Sequence, residues 1–115
     1  MRGFSEYVLA ARPVAAYEVL VTTVRERQAV VVRVDARHLT LAFRPGGFEW
    51  GGEDTTVIAA VLDAGHGLSK LVLAGCDRDG ETFDLGDAPT TIFAEVEQKL
   101  RSGAVYSVDG SLVSP

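Results

Sequence analysis

The residues of this chain that are able to do chemistry are few, and their spacing gathers them into no familiar centre. The metal-ligand stock is His38, His66 and Cys76, without paired spacing such as C-x2-C or H-x3-H, so neither a metal nor a cofactor is expected. Asp77-Arg78-Asp79-Gly80-Glu81 is acidic, but an EF-hand loop needs its glycine at position six, and Gly80 is fourth from Asp77. A hairpin turn accounts better for that stretch. Cys76 is followed by Asp77 and Asp79, neighbours that disfavour a thiolate. There is no G-x-S-x-G elbow, and the serines at 102, 107, 111 and 114 read as turn and tail residues.

The most unusual local feature is Pro45-Gly46-Gly47-Phe48-Glu49-Trp50-Gly51-Gly52. Its four glycines are not in dinucleotide-binding or P-loop order, and no lysine follows, which speaks against a phosphate cradle. The segment instead places Phe48 and the single tryptophan, Trp50, between glycine pairs; if extended, both project to one side. It reads either as a loop whose aromatics fold back on the core, or as a contact site for a ligand or partner. Phe48, Glu49 and Trp50, with Arg44 and His38 on the preceding strand, are the candidate binding residues.

The net charge of −5 argues against a binder of nucleic-acid backbone or of an anionic membrane surface. Arg25, Arg27, Arg33 and Arg37 lie close in sequence, but Glu26 and Asp35 interrupt them, and they read as solvated surface. One cysteine excludes a disulfide within the chain and fits a reducing compartment. With no apolar run near the ~20 residues of a membrane span and no signal-like start, a cytoplasmic protein is expected. Nine arginines against two lysines, with no asparagine, suggest a high-GC bacterial source.

The elements that must position these residues follow from periodicity. Phe4 to Ala10 alternates as a strand, Phe4 and Val8 against Tyr7 and Leu9. Pro13 suits the first turn of a helix whose stripe is Val14, Tyr17, Leu20, Val21 and Val24, with Glu18, Thr22 and Arg25 opposite. Strands are expected over Ala29 to Val34, His38 to Arg44, Thr55 to Leu62 and Leu68 to Cys76, with a turn over Asp63 to Gly67. Asp79-Gly80 signals a type I′ hairpin returning as Glu81 to Leu85. Asp87 as N-cap and Pro89 open a second helix with stripe Ile92, Phe93, Val96 and Leu100, ended by Gly103. Val105 to Val108, Asp109-Gly110 and Ser111 to Val113 make a terminal hairpin.

The expected fold is a single α+β domain over 1–115. It is a two-layer sandwich, β-α-β-β-β-β-β-α plus the hairpin, with an antiparallel sheet of five to six strands and both helices on one face. Val14, Leu20, Leu41, Phe43, Leu71, Leu73, Ile92, Phe93 and Val96 are the expected core. The other face of such a sheet is normally polar. Here several strands are apolar on both sides, so that face either packs on another subunit or belongs to a sheet curled so strongly that the chain's own ends cover part of both faces. Self-association is expected through Val31, Ala42, Ile58, Ala60 and Val72, rimmed by Arg33, Thr40, Arg44 and Lys70. In the opposite register Val57, Ala59 and Val61 would take that role.

In its order of strand, helix, antiparallel sheet and C-terminal helix, the chain resembles a reduced helix-grip arrangement, as in Bet v1 and START-like lipid-binding domains. The resemblance is one of topology, and it implies a ligand cavity between sheet and final helix. The expected function is a non-enzymatic interaction or accessory module of a bacterial cytoplasm, homodimeric, whose further protein or small-molecule partner the sequence does not name. The alternatives are a small-ligand-binding domain with Trp50 and Phe48 at the cavity mouth, or a cofactor-free cyclase or isomerase using Glu49, His38 or Arg44.

Overall fold

A computed structural model describes residues 4–44, 55–77, 79–83, 85–86, 89–102, 105–106 and 112–113. The strands are β1 (Ser5–Leu9), β2 (Val30–Asp35), β3 (Thr40–Arg44), β4 (Thr56–Gly65), β5 (Leu68–Cys76), β6 (Thr82–Phe83), β7 (Val105–Tyr106) and β8 (Leu112–Val113). The helices are α1 (Pro13–Glu26) and α2 (Thr90–Ser102). The sheet is antiparallel in the order β1-β5-β4-β3-β2, and β6 continues β1's edge by pairing with Gly75 and Cys76 of β5. β7 and β8 form a separate two-stranded ribbon, and β7 lies against α1. This is the α+β sandwich expected from the alternation of the strands, and both helices pack on one face of the sheet.

That face is set by side-chain period two. Leu9, Leu71 and Leu73, then Val57, Ala59 and Val61, then Leu41 and Phe43 all point at the helices and are buried. From α1 they meet Tyr17, Leu20, Val21 and Val24, and from α2 Ile92 and Val96. The orientation of β4 is thereby decided: Ile58, Ala60 and Leu62 project to the opposite side. Phe93 is partly buried at the edge of the core, its ring stacked on Tyr7 with centroids 4.8 Å apart.

The helix α1 departs from the simple stripe. Ala16, Val19, Thr22 and Thr23 are buried as well, because the sheet covers one side and α2 and β7 cover others. Thr22 is therefore not on a solvent face, and Thr23 turns its hydroxyl back to the Val19 carbonyl at 2.8 Å. Val14, expected in the core, is 59% exposed. It sits in the first turn of α1, beside the β4–β5 hairpin rather than over the sheet.

The connections also differ in detail. His38 and Leu39 belong to the β2–β3 turn, not to a strand, and Leu39 takes a positive φ of 54°. β4 runs on to Gly65, so the hairpin turn is only His66-Gly67, with φ of 55° and 76°, the type I′ geometry that matches strand twist. At Asp79-Gly80 only Gly80 has positive φ, and Asp77 holds the turn by accepting the N–H groups of Asp79 and Glu81. The returning strand shrinks to β6. Asp87 and Gly103, expected as caps of α2, lie outside the described residues.

Candidate functional site

With the helices on one side, the other face of the sheet is open, and its composition follows from the register. One row crosses five strands: Glu6, Val72, Ala60, Thr40 and Asp35. A second runs Ala74, Ile58, Ala42 and Arg33. A third places Val8 beside Lys70 and Lys70 beside Leu62. Ala60 stands third in its five-residue row, on the middle strand, and so at the centre of the face. Ile58 is 43% exposed, Leu62 51% and Val8 56%. Large side chains thus protrude beside recessed alanines.

Four of the five residues expected to form a contact, Ala42, Ile58, Ala60 and Val72, share this face. Val31 does not: it pairs with Phe43 and packs against the core. The register shifts between Val31 and Arg33, so Val32 is bulged and exposed. Val30, opposite Arg44, also lies on this face outside the expected contact set, and Val8 and Leu62 are further open-face residues absent from it. Their alternation was legible, but the β1–β5 pairing that brings them to one row was not.

At the β2–β3 side of the face lies a groove of about 450 Å³, lined by Arg33, Asp35, His38, Thr40, Ala42 and Ile58 among others. Asp35 organises its polar end. Its carboxylate accepts the His38 backbone N–H at 3.2 Å and lies 2.9 Å from His38 Nδ1, with the Arg33 guanidinium 3.8 Å away. The His38 side-chain contact, aided by its backbone N–H, holds the Asp35 carboxyl below the usual carboxylate value. The chemical effect is to present Nδ1 to the carboxylate and leave Nε2 as the outer ring nitrogen. The structural effect is to close the turn as an Asx-type motif.

The remaining candidate residues do not assemble with this groove. Arg44 is exposed at the far end of β3, opposite Val30, so the length of β3 separates it from His38. Phe48, Glu49 and Trp50 lie outside the described residues. His66 occupies the β4–β5 turn and Cys76 ends β5, its thiol directed to the Asp77 carbonyl at 3.7 Å. Among the described residues no three His, Cys, Asp or Glu side chains are grouped to hold a metal ion. Among them, too, no helix is long and apolar enough to cross a membrane. Between sheet and helices, where a helix-grip ligand would sit, Tyr17, Leu20, Phe43, Leu71 and Leu73 pack with no exposed surface.

No protein-family model matches the chain, and no curated protein is similar to it in sequence.

Proposed function

We propose that this chain is a non-enzymatic interaction or accessory module of a bacterial cytoplasm whose working surface is the open face of its sheet. The observation that supports this reading is the row structure of that face. Val8, Ile58 and Leu62 stand exposed on one face with Val72 and three alanines among them, where an antiparallel sheet with a solvated side alternates to polar residues. The groove beside Arg33 and His38 is part of the same surface.

A site-resolved crosslink tests the reading. A photo-reactive residue is placed at Leu62 on the open face, or at Val14 on the exposed start of α1 as control, in cells expressing the protein. An adduct from Leu62, absent from Val14 and lost in an Ala60→Glu background, is the expected result. Equal adducts from both positions, or none from Leu62, would overturn it.

A further inference from the structure

We infer that the occupant of the open face is a second copy of this chain, packed sheet to sheet about a two-fold axis that passes near Ala60. This rests on the interaction-module reading above and names its partner. Three observations favour a copy of the same chain.

The first is shape. A two-fold contact brings the same patch together with itself, so the patch must carry both its protrusions and its recesses. Ile58, Leu62 and Val8 protrude, while Ala42, Ala60 and Ala74 leave the backbone open to close approach. The smallest of these residue types is at the centre, where two sheets stacked about 10 Å apart come nearest.

The second is charge. The chain as a whole carries −5, so the net charge of two copies opposes their association. The open face is not acidic, with Arg33, Arg44 and Lys70 against Glu6 and Asp35. Two acidic chains can meet here without adding to their mutual repulsion, and these charged groups surround the apolar centre as a rim.

The third is area. Five paired strands about 4.8 Å apart, over roughly 25 Å of strand, cover about 600 Å² per copy, or about 1,200 Å² in the pair. That reaches the lower bound for a specific interface. Edge-to-edge joining is opposed at β2, where the bulge at Val32 breaks the strand's regular edge.

Sedimentation velocity of the full chain at high micromolar concentration tests the inference. The expected species has twice the 12.3 kDa of one chain. Ala60→Glu buries a charge at the axis and is expected to return the mass to that of one chain with an unchanged melting midpoint. Should Ala60→Glu fail to fold, Leu62→Glu, at an already exposed position, serves in its place with the same expected result. A single-chain mass for the wild type overturns the inference, and so does a double-mass species that neither variant dissociates. A single-chain wild type that still gives a Leu62 adduct with another protein removes the second copy while leaving the open face as the working surface.

Discussion

The Tyr17 hydroxyl donates a 2.7 Å hydrogen bond to the Thr40 carbonyl, tying the second turn of α1 to the first residue of β3. The side chain is fully buried, and it is the largest fully buried one among the described residues. Tyr17→Phe keeps the ring and removes one bond, so a loss of about 1 kcal/mol is expected in a urea melt. Tyr17→Ala removes the ring as well and should cost about 3–5 kcal/mol. Equal losses for the two variants would mean that the ring packs nothing.

The same hydroxyl carries a pH dependence. Burial, ahead of its other surroundings, pushes the Tyr17 pKa above the ordinary value of 10.0. A group whose pKa is raised on folding stabilises the native state fully below its unfolded value and loses that contribution as pH rises through the folded one. Stability should therefore fall as pH climbs above about 10, and Tyr17→Phe should flatten that limb of the profile. A profile identical in wild type and variant would exclude Tyr17 as its source.

Asp35 gives the opposite sign at the acid end. Its pKa is lowered from 3.8, first by the His38 side chain and then by the His38 backbone N–H. The stabilisation is present above the unfolded value and lost as pH falls through the lower folded one. Carboxyl carbon shifts followed by NMR should titrate below the ordinary aspartate range. In His38→Ala the midpoint should move back up, since the leading cause is gone. An unmoved midpoint would detach the turn from the titration.

Gly75 is a residue whose lack of a side chain matters. A Cβ there would stand 2.5 Å from Phe83 Cε2 and 2.9 Å from Leu85 Cδ2. Gly75→Ala should therefore lift the Phe83 ring and loosen β6, costing about 1 kcal/mol, the low end for overpacking because the ring lies at the margin and can swing. Adding Phe83→Ala should recover part of the loss, a coupling that a double-mutant cycle measures. Purely additive effects would refute the contact.

Leu71 is fully buried at the centre of β5, and Leu71→Ala is expected to cost about 2–5 kcal/mol in a urea melt. Val14→Ala, at an exposed position, should stay within about 0.5 kcal/mol. The contrast between these two valine- and leucine-sized changes separates the sheet centre from the overhanging first turn of α1.

These positions show what periodicity carries and where it stops. Alternation placed Leu41, Phe43, Leu71 and Leu73 on one face because a strand has only two sides. It also flagged Ile58 and Ala60 as a second apolar face without saying which side the helices take. For α1 a stripe argument presumes one covered side, and it misplaces Thr22 once α2 and β7 cover others. Val14 keeps helical spacing with Tyr17 and Val21, yet spacing does not reveal that the sheet ends beneath it. The His38 turn was hidden because its left-handed residue is Leu39, where glycine or asparagine is the usual signal. Val31 was misjudged because a bulge at Val32 resets the alternation, and a bulge leaves no mark in a run of valines.

The pairing of β1 with β5 sets an order on the life of the chain. The strands from β2 to β5 each pair with the next strand along the chain. β1 has no such neighbour: Ser5 waits for Leu73 and Leu9 for Ser69. Until β5 is made, β1 is an unpaired strand with Val8 and Leu9 in water, and a contact so distant in sequence is slow to close. β1 is thus expected to be the last large piece of the sheet to dock. A nascent or truncated chain lacking β5 would offer it to whatever open edge comes first.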